Sequence, residues 1–239
     1  MRKKVLTIVL ALGALLAYSA CSSINDVRGT VKADAPANEV TAGEMSVEAE
    51  TEATAEVTEP FSLGHNANNT YENSFLGIGC KFDEAWTFSS DEDIKSNLLT
   101  ASENLQDGAT DVIDNAMSNG NFIVDMMVVN ESTESNVSVG IIKSGKTTEE
   151  EYIDLMVDTI SSTMESAYGL TNIKVEKTTI NLAGKPHFAT KMTATMGNGV
   201  EVSQIQVAYQ KGSYMTCITA SAFGDETADE LLTAFYALD

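Results

Sequence analysis

The chain has 239 residues, with 35 Asp and Glu against 14 Lys and Arg, a formal net charge of −21 at pH 7. Arginine occurs only at Arg2 and Arg28, so from Phe61 to Asp239 nine lysines face 26 acids with no guanidinium among them. Such a field repels polyanions, and the side chain that best grips phosphate and carboxylate is missing, which argues against nucleic acid, nucleotides and anionic polysaccharides as ligands.

Met1-Arg-Lys-Lys4 is a basic start, and the thirteen residues from Val5 to Ala17 are almost wholly apolar. As a helix that run reaches only ~20 Å, against a hydrocarbon core of ~30 Å, so it reads as a secretory signal rather than a membrane span. Leu15-Leu-Ala-Tyr-Ser-Ala-Cys21 resembles a bacterial lipobox, with the small Ser19 and Ala20 before the cysteine and Tyr18 where Leu is usual. Residues 1–20 are therefore expected to be a lipoprotein signal peptide and Cys21 the lipid attachment site. The protein is then extracytoplasmic and held to a bacterial cell membrane by that anchor. The competing outcome is cleavage after Ser19 and release of a free secreted protein. Loss of residues 1–20 leaves 11 basic and 35 acidic residues, a net of −24.

From Ser22 to Pro60 no aromatic residue occurs, and residues 33–60 hold eight acids and no base. A segment so charged buries too little surface to offset its ordering entropy, so residues 21–60 are expected to be a disordered acidic tether. Residues 61–239 then form one globular domain of ordinary size.

Within that domain, Phe75–Phe82 alternates like a strand and stops at Asp83-Glu-Ala-Trp86. Ser90-Asp-Glu-Asp93 reads as a helix cap, with Ile94, Leu98, Leu99 and Leu105 following at helical spacing. A second helix is expected around Asp111–Ser118, ended by Asn119-Gly120. Phe122–Val129 is apolar on both alternating faces apart from Asp125, so it should be covered on both sides, with Asn136–Ile142 as its hairpin partner. Thr147 and Glu150 stand three apart as a capping box, and Ile153, Met156, Val157, Ile160 and Met164 follow on one helical face up to Gly169. Four strand-like runs follow, 173–182, 187–196, 200–210 and 213–222, joined by short turn sequences that make them an antiparallel meander. Asp225–Glu230 opens a terminal helix expected to bury Leu231, Leu232, Phe235 and Leu238. Helices around an antiparallel sheet give an α+β fold.

Cys80 and Cys217 both lie in apolar, strand-like stretches. An exported protein could bridge them, but buried single thiols behave as small hydrophobes, and that reading is preferred.

Tyr71-Glu-Asn-Ser-Phe-Leu-Gly-Ile-Gly-Cys-Lys-Phe-Asp-Glu-Ala-Trp86 resembles the opening hairpin of PsbP-like lipoproteins, and Val124–Met127, Glu149–Tyr152, Leu182–Lys185 and Tyr209–Tyr214 resemble later landmarks of that family in order. Asp83 and Ala85 stand where the family's turn has Pro and Gly, which should loosen the turn. Over residues 71–239 the resemblance implies an α/β/α sandwich around an antiparallel sheet. It also implies docking on other proteins rather than catalysis, as in the plant photosystem II extrinsic protein and a small nuclear-import factor.

No catalytic set is visible. The only histidines are His65, beside the tether, and His187, at a strand start. Neither a nucleophile elbow, nor a phosphate loop, nor closely spaced zinc ligands occur. Asp83, Glu84, Asp91, Glu92 and Asp93 lack the alternation around a glycine that a calcium loop needs, and they read as capping and solvated acids. Met126, Met127, Met156, Met164, Met192, Met196 and Met215 read as core fillers. Trp86, Tyr152, Tyr168, Tyr209 and Tyr214 are the only aromatic candidates for partner anchors. The expectation is a membrane-tethered, non-catalytic binding or scaffolding lipoprotein of the bacterial cell envelope, with an envelope protein as partner and no metal or cofactor. The alternatives are a small-molecule or cation-binding lipoprotein and, last, an enzyme of unknown class.

Overall fold

Residues 60–238, without 106, 107 and 146, are described by a computed structural model. The leader, Cys21 and the acidic stretch up to residue 59 lie outside the described residues. In chain order the elements are β1 (His65–Ala67), β2 (Thr70–Asn73), β3 (Ile78–Lys81), β4 (Trp86–Phe88), α1 (Asp91–Ser102), α2 (Ala109–Ser118), β5 (Phe122–Asn130) and β6 (Asn136–Lys143). There follow α3 (Glu149–Tyr168), β7 (Thr171–Leu182), β8 (Lys185–Thr195), β9 (Glu201–Lys211), β10 (Tyr214–Phe223), α4 (Ala228–Leu232) and β11 (Phe235–Ala237). Among them no helix is long and apolar enough to cross a membrane.

Two antiparallel sheets result, one of seven strands in the order β4-β5-β6-β10-β9-β8-β7 and one of four in the order β1-β2-β3-β11. The meander β7–β10 forms as its turn sequences direct. Leu182 faces Lys185 across Ala183-Gly184, whose φ values of 48° and 83° suit a two-residue turn that follows the strand twist. β10 then pairs with β6, so the last meander strand joins the two halves of the large sheet.

The helices begin and end on named residues. Ser90 Oγ accepts the Asp93 amide at the start of α1. Capping of α3 falls one residue later than Thr147 and Glu150 suggest. Thr148 Oγ1 accepts the Glu151 amide at 3.2 Å, and Glu151 Oε2 accepts the Thr148 amide at 3.0 Å. The physical reason is that Thr147 is buried and its hydroxyl is already committed to the Ser144 carbonyl at 3.2 Å. Gly169, at φ 62°, closes the helix in the left-handed region.

The large sheet is covered on both faces. On one, α1, α2 and α3 bring Leu98, Ile113, Ile153 and Met156 against Phe122, Ile142 and Met215. Full burial of each such side chain contributes about 1.5–3 kcal/mol, which outweighs the modest helix propensity of the Thr- and Ser-rich end of α3. On the other face, the small sheet and α4 bring Tyr71, Ile78 and Leu231 against Met126, Ile205 and Ile218. The second covering layer is thus mostly sheet. Its last strand replaces the end of the expected terminal helix: α4 stops at Leu232, and Phe235–Ala237 pairs with β3, Phe235 facing Cys80. Leu231, Leu232 and Phe235 are buried all the same, because an open strand edge on β3 satisfies the backbone there. β3 also starts later than its alternation suggests. Asn73 Oδ1 accepts the Leu76 amide and Asn73 O the Gly77 amide, which turns residues 74–77 before the strand begins.

Candidate functional site

Asp125 interrupts the apolar run of β5, and the β5–β6 register shifts at that residue. The bulge turns the carboxylate toward the small sheet, where three donors meet it. Tyr71 Oη donates to Oδ2 at 2.6 Å, Asn73 Nδ2 to Oδ2 at 2.8 Å, and the Gly64 amide to Oδ1 and Oδ2 at 3.0 and 2.9 Å. Tyr71 and Asn73 are fully buried. Burial first, then the Asp125 charge and hydrogen bond, hold the Tyr71 hydroxyl protonated far above the ordinary tyrosine range. A side chain at position 64 would meet Tyr71 Cε2 at 2.2 Å, so only glycine lets the backbone come this close.

This anchoring fixes the segment that leads into β1, and two open clefts flank β1. The first, about 290 Å³, is lined by Leu63, Asn66, the Asp91 and Ile94 end of α1, and Phe122–Asp125. The second, about 420 Å³, is lined by Asn66–Asn69, Glu84 and Trp86–Phe88. Asn66 belongs to both, and β1 is exposed along its length. β4 pairs with β5 only over Val128–Asn130, so no strand lies beside Ile123 and Val124 at the first cleft among the described residues. Asp91, Asp125 and Glu84 make these walls acidic, and Asn68 and Asn69 hold the β1–β2 turn at φ 51° and 58°.

A second polar cluster ties α3 to the large sheet. Glu149, the first residue of α3, accepts the Gln210 amide at 2.9 Å and lies 3.2 Å from His187 Nδ1. Partial burial alone would raise the Glu149 pKa, but the His187 contact and the Gln210 and Phe188 amides outweigh it and hold the carboxyl below its usual value. The His187 ring packs edge-on against Tyr209 at 4.8 Å, and Tyr209 Oη donates to the Leu76 carbonyl at 2.7 Å. His187 is thus a buried linker between helix, sheet and small layer rather than a free strand-edge residue.

The structure does not bring the two histidines together: His65 is exposed on β1 of the small sheet and His187 buried on β8 of the large one. Cys80 and Cys217 are free thiols, buried in the cores on opposite faces of the large sheet. Among the described residues no three His, Cys, Asp or Glu side chains gather as metal ligands. Asp83 Oδ1 accepts the Ala85 amide at 2.9 Å, so the turn expected to be loose is closed by this side chain. Asp91, Glu92 and Asp93 form the first turn of α1. Met126, Met127, Met156, Met164, Met192 and Met215 are buried, with Met196 packed at the margin. Tyr152 is fully buried, which removes it as an anchor, whereas Trp86 is mostly buried but lines the second cleft, and Tyr168, Tyr209 and Tyr214 are half-buried. The parts that sequence reasoning left without a role are Gly64, Asn73 and Glu149. Its one signal was Asp125, a lone charge in an apolar strand.

No family profile and no curated protein matches this chain. Among solved structures, the chain is similar to cyanobacterial PsbP (CyanoP) from Synechocystis sp. PCC 6803, with 12% identity, 74% of this chain and 94% of that one covered, and a TM-score of 0.40. It is also similar to LpqN, involved in cell envelope biogenesis of Mycobacterium tuberculosis, with 9% identity, 48% of this chain and 70% of that one covered, and a TM-score of 0.29. The α+β arrangement expected from the sequence rests on the helices and antiparallel sheets described above.

Proposed function

We propose that this protein is a membrane-tethered, non-catalytic docking lipoprotein of the bacterial cell envelope, anchored through Cys21 and taking an envelope protein at the face around β1. The observation that carries the reading is the open, acidic double cleft astride β1, only a few residues from the end of the tether at Pro60. A wide face with the edge of β5 open at Ile123 and Val124 among the described residues suits a polypeptide partner, which can add main-chain hydrogen bonds there. The lipobox-like Ser19-Ala20-Cys21 supports the membrane attachment.

Cross-linking of the intact lipoprotein on living cells of its own species tests this, with a tether lacking residues 61–239 as control. One stoichiometric envelope protein, absent from the control and lost in an Asn66→Arg variant, is the expected result. A specific hydrolytic or transfer activity of the purified protein would overturn the non-catalytic part of the reading.

A further inference from the structure

The helix-covered face of the large sheet carries a feature that a purely apolar core does not need. Across four strands, Ser138 of β6 faces Thr219 of β10, Thr219 faces Gln206 of β9, and Gln206 faces Thr190 of β8. One pleat further along the same face, Asn136 faces Ser221, and Ser221 faces Gln204. All of these side chains are at most 1% exposed, and none is charged. Part of the stripe is internally bonded: Gln206 Nε2 donates to Gln204 Oε1 at 3.0 Å, and Gln204 Nε2 to Ser221 Oγ at 2.9 Å. Among the described residues, Asn136 Oδ1 and Nδ2, Ser138 Oγ and Gln206 Oε1 find no hydrogen-bond partner.

Burying polar atoms unpartnered disfavours the state that buries them, and such atoms are rare without a reason. Apolar residues of the same size would close this core better, so the stripe is poised to gain from a guest that hydrogen-bonds. Asn136 and Gln206 offer both donors and acceptors, whereas a charged guest would find no counter-charge there. With strands ~4.8 Å apart, the stripe spans ~14 Å across and ~7 Å along the strands, the footprint of a sugar.

We infer that this stripe is the floor of a cryptic binding site for a small uncharged polyhydroxyl or amide-bearing molecule, with α3, which packs on β8 and β9, as part of its cover. The site is distinct from the docking face around β1, since none of the stripe residues lines either cleft there.

Thermal melting of the full chain in detergent, with and without ~10 mM glucose or N-acetylglucosamine, tests it against Asn136→Leu and Ser138→Ala, each of which deletes only unpartnered polar atoms. The wild type should melt higher with at least one sugar, and the variants should not respond. Without sugar, each variant should melt about 2–4 °C higher, as expected for roughly 1 kcal/mol in a domain of this size. Hydrogen exchange of the wild type gives a readout that no variant affects: amides of β6 and β10 should slow when the sugar is present. No response of the wild type to either sugar, in melting and exchange alike, overturns the site. So does a folded variant that melts lower, because the deleted atoms would then have had partners, as they would with buried water.

Discussion

The Tyr71 hydroxyl donates to Asp125 Oδ2 at 2.6 Å, binding β2 of the small sheet to the bulge of β5 in the large one. Removing that donor, as in Tyr71→Phe, leaves the carboxylate with Asn73 and Gly64 and should cost about 1.5–3 kcal/mol, the usual value for a hydrogen bond to a charged group. Asp125→Ala removes the shared acceptor of three donors at once and should cost more than Tyr71→Phe. Urea midpoints of the two variants check the order; equal losses would mean that Asn73 and Gly64 do not depend on Asp125.

Gly64→Ala isolates the strap, the segment that leads into β1, from the core. Its Cβ would meet Tyr71 Cε2 at 2.2 Å and Cζ at 2.8 Å, both atoms of a fully buried ring that has little room to move. The strap should yield instead of the ring, because β1 pairs only with β2. Protease cleavage or hydrogen exchange at residues 61–67 should rise strongly, while protection in β5–β10 stays near its original level. Uniform loss of protection would show that the strap is integral to the main core.

Much of the large sheet was legible from turn chemistry. Gly184, Gly199 and Gly212 punctuate the meander and all take the positive φ that glycine adopts without strain, so local sequence alone fixes its pairing. What was not legible depended on distant partners. Thr147 looks as good a cap as Thr148 until the Ser144 carbonyl takes its hydroxyl. Residues 235–237 look helical until the edge of β3 offers itself. Likewise, the alternation of Gln204 and Gln206 in β9 suggests a solvated face, and only α3 packing over that sheet shows that the face is interior. Asp125 was visible as an anomaly, but its donors lie 52 to 61 residues away in sequence.

The Glu149 carboxyl should make stability depend on pH. Burial opposes its ionisation, yet the contacts from His187, Gln210 and Phe188 prevail and lower its pKa in the folded state. A lowered folded pKa means that the contribution is fully present above the unfolded value, about 4.3, and is lost as pH falls through the folded pKa. The urea midpoint should therefore decline more steeply below pH ~5 in the wild type than in Glu149→Gln. Parallel curves would show that other carboxylates carry the acid sensitivity.

Cys21→Ala should move the protein from the membrane fraction to the medium, or leave it as an uncleaved precursor, because the lipid has no other acceptor in the leader. Fractionation of cells expressing each form reads this directly. Unchanged membrane retention of a processed Cys21→Ala protein would mean that residues 22–239 hold the membrane by themselves.

The two inner cysteines should stay inert until the protein unfolds. Burial pushes the Cys80 thiol up to about 12 and the Cys217 thiol up to about 11. The thiolate that reacts with alkylating agents is thus scarce at neutral pH, and both sulfurs are shielded from reagent. A disulfide between them would have to cross the large sheet, since Cys80 packs in the core under the small sheet and Cys217 in the core under the helices. Iodoacetamide should leave both unmodified in native protein. In denaturant without reductant it should add two labels within residues 61–239. No label in denaturant would reveal a bridge between them and so contradict the separation of the two cores.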